Sequence, residues 1–278
     1  MHARSIRRTA PIRPLPGGME PCRRRSGRAA GRGAALTRHL ALALFLSGLA
    51  SALSAQDAQP EPAVIQWWQG AAVVGGIGLV SALDESVQRS MQQQRSPSSD
   101  RFAALTRHMG QPEVFATVPG ALFLAGVLTQ QPTLRRSGER VAASLALAGA
   151  VTVGGKFLVG RLRPRQFGEP YNSKPFSGAD AFPSGHATMA FALATALADE
   201  IHRPWATVGL FTAATGTAWS RLNDNQHWLS DVVAGAVVGI TSAQFIEGRW
   251  TLFHLRPPAV FRSHGRSGIG WVIPIGGR

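Results

Sequence analysis

Residues 220–246 read SRLNDNQHWLSDVVAGAVVGITSAQFI. A polar run, Ser220–Asp231, leads without a break into the apolar stretch Trp228–Ile246. His227 and Asp231 are four apart, which on a helix places one above the other. A carboxylate in that position accepts from one imidazole nitrogen and fixes the tautomer. The other nitrogen is left free to attack an electrophile. The plainer alternative is a structural His–Asp pair that caps the helix.

Two more stretches place polar residues at the edge of apolar segments. In KFLVGRLRP, Lys156 and Arg163 are seven apart, a spacing that predicts one helical face. Pro164 is expected to stop that helix. A lysine in apolar surroundings needs an anionic partner or a route to the interface. In FPSGH, Pro183-Ser184-Gly185 is turn chemistry ahead of the apolar run Ala187–Ala198. Ser184 is a favoured helix N-cap. The free N–H groups of a helix start make an anion site, and His186 would stand in its first turn.

The three stretches together supply Lys156, Arg163, Arg221, two histidines and one helix start. This inventory suits a tetrahedral oxyanion held by cations, where positioning and charge stabilisation carry the chemistry. The lone cysteine, Cys22, rules out an intrachain disulfide and any cysteine cluster for a metal. No acidic cluster suits a divalent ion, so no metal and no cofactor are expected.

The rest of the chain sets the surroundings. Hydrophobic residues make up 45% and charged residues 16%, against a usual charged share of about 25%. Six apolar segments are visible: Val64–Leu83, Val114–Leu128, Val141–Gly160, Ala187–Ala198, Trp205–Trp219 and Trp228–Ile246. Some approach the roughly 20 residues needed to span a bilayer, and small residues dominate them, as close helix packing in membranes requires. Trp67, Trp205, Trp219, Trp228 and Trp250 at segment ends fit interfacial anchors. Asp84–Gly110 is polar and reads as a surface helix or helix pair. Residues 1–38 carry ten Arg against one acid, Glu20, so the net charge of +14 is largely a property of this leader. A nucleic-acid partner would need the basic residues on a folded face, and none is expected.

Residues 1–38 therefore read as a basic, disordered leader. Residues 39–55 read as a signal peptide or N-terminal apolar segment, and 56–63 as a linker. The main domain is expected over 64–248, with an irregular tail over 249–278. Placing the basic Arg135–Arg140 loop in the cytoplasm turns the polar clusters toward the periplasm or exterior, in a bacterial-type inner membrane.

K-x6-R-P at 156–164, P-S-G-H at 183–186 and S-R-x5-H-x3-D at 220–231 resemble the three signature motifs of the type 2 phosphatidic acid phosphatase (PAP2) superfamily, which also contains vanadium haloperoxidases. The resemblance covers roughly residues 64–247. It implies an all-α, six-helix transmembrane bundle and hydrolysis of a phosphate monoester or diphosphate, such as phosphatidic acid or undecaprenyl diphosphate, without a metal. It implies that His227 is the nucleophile forming a phosphohistidine, Asp231 its orienting partner and His186 the general acid. It further implies that Lys156, Arg163, Ser184, Gly185 and Arg221 bind the phosphoryl oxygens. A phosphorylated lipid and membrane lipid are the partners it implies. A soluble exported acid phosphatase, a vanadate-dependent haloperoxidase and phosphotransfer to another acceptor are the alternatives.

Overall fold

The computed structural model describes residues 62–166, 169–252, 259–263 and 266–270. The leader, the signal segment and nearly all of the linker lie outside the described residues. Within them the architecture is helical. Eight α-helices follow in order: α1 Trp67–Ser81, α2 Asp84–Gln93, α3 Pro97–Thr106, α4 Pro112–Leu128, α5 Pro132–Val159, α6 Gly185–Ile201, α7 Pro204–Asn223 and α8 Leu229–Ile246. Each of the six apolar segments is represented by one helix, and the polar stretch after Asp84 supplies the other two.

Local sequence explains most helix ends. Proline stands in the first turn of α3, α4, α5 and α7, where its missing N–H costs nothing. Ser96 caps α3 by accepting from the Ser99 N–H at 3.2 Å. One boundary differs from the sequence expectation: α5 starts at Pro132, so Arg135, Arg136 and Arg140 lie on its first turns and not in a loop. The side chains of Arg135 and Arg140 reach Glu139, Glu200 and Glu247, which lets a charged stretch stay helical. At its other end α5 stops at Gly160, in the left-handed conformation at φ 57°. A Cβ there would stand 1.8 Å from the Lys174 carbonyl oxygen, so only glycine fits.

Helix α6 is the centre of the bundle. One side packs Ala192, Leu193 and Ala196 against Val141, Leu145 and Ala148 of α5. The other packs Ala190, Phe191 and Ala194 against Ala214 and Ala218 of α7 and Val232 of α8. Helices α6 and α8 approach so closely that a Cβ on Gly235 would lie 2.6 Å from the Ser184 carbonyl oxygen. This contact fixes the start of α6 against the start of α8.

Helices α5 and α8 are long and apolar enough to cross a membrane, and α1 with α2 would do so as a pair bent by 48°. Val151, Val153, Phe157 and Leu158 of α5 and Val74 and Leu79 of α1 face outward, as lipid-facing side chains do. Trp67 and Trp205 are exposed at helix starts, as interfacial anchors should be. Trp228 is not an anchor: it is 3% exposed and its indole N–H donates to the Leu162 carbonyl at 3.0 Å. A buried indole needs such a partner, and this one ties the two polar loops together.

The segment after α8 was expected to be irregular. Its described part holds short strands: β2 Trp250–Leu252 pairs parallel with β1 Ala63–Ile65, and β3 Ala259–Ser263 pairs antiparallel with β4 Arg266–Gly270. Branched and aromatic residues at Val64, Ile65, Trp250 and Thr251 favour pairing. The β1–β2 pair joins the two ends of the bundle.

Candidate active site

The end of α5, the start of α6, the end of α7 and the start of α8 meet in one polar region. The chain between α5 and α6 does most of the wiring. The Asp180 carboxylate takes two hydrogen bonds from Arg163, Nε to Oδ1 at 2.8 Å and Nη2 to Oδ2 at 2.5 Å. The Asp180 carbonyl accepts from Lys156 Nζ, and the Ala181 carbonyl accepts from His227 Nδ1 at 2.7 Å. Arg163 also donates from Nη1 to Gln226 at 2.7 Å. The Ser184 N–H donates to the Asp231 carbonyl at 2.9 Å. All three motifs are therefore held together through residues 180–184.

Two geometric expectations need correction. Lys156 and Arg163 do not share a helical face, because α5 ends at Val159 and Arg163 lies in the loop beyond Gly160. It is Asp180, three residues before Pro183, that brings the two cations together. Nor do His227 and Asp231 sit on one helix. The helix starts at Leu229, so His227 precedes it and Asp231 is its third residue. Asp231 Oδ2 accepts the Trp228 N–H at 2.8 Å and lies 3.6 Å from His227 Nδ1, beyond hydrogen-bond range. The first partner of the ring is the Ala181 carbonyl, with the carboxylate as a nearby charge.

The ring's state follows from these contacts. A carbonyl oxygen can only accept, so Nδ1 carries the proton and the Nε2 lone pair is free. His227 is 4% exposed. Burial pushes its pKa below the ordinary histidine value; Asp231 opposes this, while Lys156 and Arg163 add to it. His227 is thus neutral at pH 7, the state a nucleophile needs. His186, at the very start of α6, is pushed down to about 4 by burial and by the charges of Arg221, His227, Arg163 and Lys156. For Asp180, burial works upward, but the hydrogen bond and charge of Arg163, with Lys156 and His227, hold its carboxyl below the usual range.

Two buried donors of the motif residues have no partner among the described residues. Ser184 occupies the N-cap position of α6, yet its hydroxyl makes no capping bond and is unsatisfied. Arg221 approaches Asp224 only to 3.6 Å and its Nε is unsatisfied. Unsatisfied buried donors are rare and call for a ligand or a special role. Gly185 lies beside Lys156, its Cβ position 3.9 Å from Lys156 Cε. The region can hold an oxyanion with Lys, Arg, hydroxyl and backbone donors and offer it one free imidazole nitrogen.

Sequence reasoning missed Asp180, Gln226 and a buried cluster of Asp84, Arg161 and Ser230. Asp180 adjoins the FPSGH stretch, but no residue pattern there announces a bridging carboxylate. Arg161 was visible between Lys156 and Arg163, and only the fold reveals that it is buried.

The chain is similar to several known proteins. A sequence model of the PAP2 superfamily matches residues 140–251. A lipid A 1-phosphatase of Porphyromonas gingivalis is 39% identical over 111 residues, which is 39% of this chain and 22% of that protein. A putative undecaprenyl-diphosphatase of Escherichia coli is 36% identical over 109 residues, covering 37% of this chain and 54% of that one. The match thus spans about a fifth and about half of these relatives. Among solved structures, LpxE of Aquifex aeolicus superposes with a TM-score of 0.50 at 22% identity, over 59% of this chain and 94% of that chain. A transmembrane PAP2-type phosphatidylglycerolphosphate phosphatase of Bacillus subtilis gives 0.51 at 18%, over 64% and 94%. These two show a shared fold. The segment 140–251, which carries every motif residue from Lys156 to Asp231, is the part of the chain that matches the PAP2 superfamily.

Proposed function

We propose that the chain is a membrane phosphatase that removes a phosphoryl group from a phosphorylated lipid through a phosphohistidine at His227. The observation that carries this reading is the convergence of Lys156, Arg163 and the His227 ring on residues 180–181. The bidentate Arg163–Asp180 pair has the geometry that a phosphoryl group would take in its place. An incoming substrate competes with that carboxylate for Arg163 and Lys156. Ser184 Oγ, the first N–H groups of α6 and Arg221 Nε supply further donors.

In the first half-reaction the His227 Nε2 lone pair forms a bond to phosphorus. The ester or anhydride P–O bond breaks and its electron pair leaves on oxygen, which takes a proton from His186. In the second, water attacks phosphorus and the P–N pair returns to Nε2. His186, now neutral, takes the proton of the water. Arg and Lys match the phosphoryl charge, so turnover is expected to survive EDTA. The outward-facing apolar helices and the lipid phosphatases among the relatives support a lipid substrate. The basic residues at the opposite end of α5 support a site that faces the periplasm.

The proton count sets the pH dependence. Free His186 is neutral above about pH 4 and burial keeps free His227 neutral at pH 7, so the one proton that the leaving group needs arrives with the substrate. A phosphate monoester keeps it only below its second pKa of about 6. The value of kcat/KM should therefore fall about tenfold per pH unit above about pH 6. A phosphate-release panel over lipid monophosphates, lipid diphosphates and soluble esters, with and without EDTA, tests the reading. Release from the lipid substrates that EDTA leaves intact is expected. Loss of all release in EDTA, or near-normal release by His227→Ala, would overturn it.

A further inference from the structure

Asp84 opens α2 and is fully buried. It accepts the Ser230 N–H at 2.8 Å, the Ser230 hydroxyl at 2.6 Å and Arg161 Nη2 at 2.6 Å. All three partners donate, so this carboxylate is ionised. Arg161 is 5% exposed and equally committed. Its Nε and Nη2 donate to the Pro170 carbonyl, and its Nη1 donates to Ser230 Oγ at 2.7 Å and to Asp231 Oδ1 at 2.6 Å. Asp231, also fully buried, is the carboxylate beside the His227 ring.

The buried cluster therefore holds two carboxylates and one guanidinium, one negative charge in excess. Were Asp84 absent, Arg161 would cancel Asp231. With Asp84 present, Arg161 is already neutralised and the charge of Asp231 remains available to the ring. That charge matters at one moment. Forming a P–N bond at Nε2 while Nδ1 keeps its proton turns the neutral ring into a cation. In a site screened from water such a cation is costly unless an anion faces it.

We propose that Asp84 is a positioning residue for the phosphohistidine step: by neutralising Arg161, it leaves Asp231 free to stabilise the cationic phospho-imidazole. The inference rests on the phosphohistidine reading of His227. It assigns a role to a residue on α2, far from the three motifs in the sequence and outside the matched segment. The other charged and titratable groups around the ring are Lys156 of α5, Arg163 and Asp180 of the loop, and His186 of α6. None of them changes when Asp84 is replaced.

The test uses the full chain in detergent micelles and three variants: Asp84→Asn, Asp84→Glu, and the pair Asp84→Leu with Arg161→Met. The readouts are kcat, KM, inhibition by inorganic phosphate and the His227 ring pKa from NMR of histidine-labelled protein. For Asp84→Asn, kcat should fall roughly tenfold, with KM and phosphate inhibition within about twofold. The ring pKa should drop by about half to one unit, because the cluster loses its excess charge. Asp84→Glu should recover most of both. The paired variant removes one charge of each sign and keeps the excess, so its ring pKa should stay at the parent value. This holds even where Asp84→Asn alone fails to fold.

Parent-like kcat and ring pKa in Asp84→Asn would overturn the proposal. So would a loss of kcat with an unmoved ring pKa, which is the mark of a purely structural role. A ring pKa in the paired variant that falls as far as in Asp84→Asn would also overturn it. Absence of a phosphorylated His227 in the parent enzyme during turnover would instead sink the underlying reading, while the ring titrations would still report on the charge coupling.

Discussion

At one end of α5, α6 and α8 stand Lys156, the Ser184–His186 turn and Asp231. At the other end of the same helices stand Arg140, Asp199 with Glu200, and Glu247. Along α5 the two clusters are about 24 Å apart. Both are rich in charge. At the far end Arg140 donates to Glu200 at 2.9 Å and to Glu247 at 3.2 Å, and Arg249 pairs with Asp199 at 2.9 Å. Among the residues that line the cavity at that end, the buried atoms left over are acceptors, Asp199 Oδ2 and Glu247 Oε1. Among the motif residues at the His227 end the leftover atoms are donors, Ser184 Oγ and Arg221 Nε. The sign of the unfilled groups separates the cavity-lining residues from the motif residues. An anion is wanted where donors are left over. A cavity of about 360 Å³ opens beside Arg140, Asp199 and Glu247, but leftover acceptors would repel a phosphoryl group.

The sharpest way to break this comparison is to remove one arginine from each end. Arg163→Ala should lower kcat/KM by about 10²–10³. Arg140→Ala should leave kcat/KM within about twofold and lower the thermal midpoint instead. Equal effects on rate would mean that the ends do not divide the work.

A smaller effect comes from the hydroxyls. Ser184→Ala removes a donor without a protein partner, and kcat/KM should drop roughly tenfold. Ser137→Ala removes a hydroxyl that already bonds Glu200 and should leave the rate unchanged. Steady-state kinetics on both variants checks this.

The smallest effect concerns the far end alone. Burial pushes Glu247 up to about 7, with Arg140 pulling the other way. The folded state thus holds this proton more tightly than the unfolded chain does. Its stabilising contribution is complete below about pH 4.5 and is lost as pH rises through 7. Against Glu247→Gln, the parent's thermal midpoint should fall by a few degrees between those pH values. Both proteins should keep the same kcat/KM. A parallel pair of melting profiles would remove Glu247 from this account.

Much of the candidate site was legible in the sequence, because its residues keep fixed spacings within three short stretches. Lys156, Arg163, Ser184, His186, Arg221, His227 and Asp231 all belong to the polar region where those stretches meet, and the six apolar segments became helices. The wiring was not legible, for local reasons. Spacings of four and seven imply shared faces only inside a helix, and α5 ends at Gly160 while α8 begins at Leu229. Gly160 alone could have signalled the first break. Trp228 in the N-cap position gave no signal for the second. Asp180, Arg161 and Asp84 act through contacts made only after folding. Asp84 looked like an ordinary first-turn acid of a surface helix and is instead wholly buried against Ser230.

The central claim is that His227 carries the phosphoryl group. The direct measurement is a pre-steady-state alkaline quench of the enzyme with substrate labelled in its terminal phosphate, followed by mapping of the label. The expected result is an acid-labile label on the peptide holding His227, which appears before steady-state release, chases into inorganic phosphate and is absent from His227→Ala. Phosphate release by the parent enzyme with no label on His227 at any time point would contradict it.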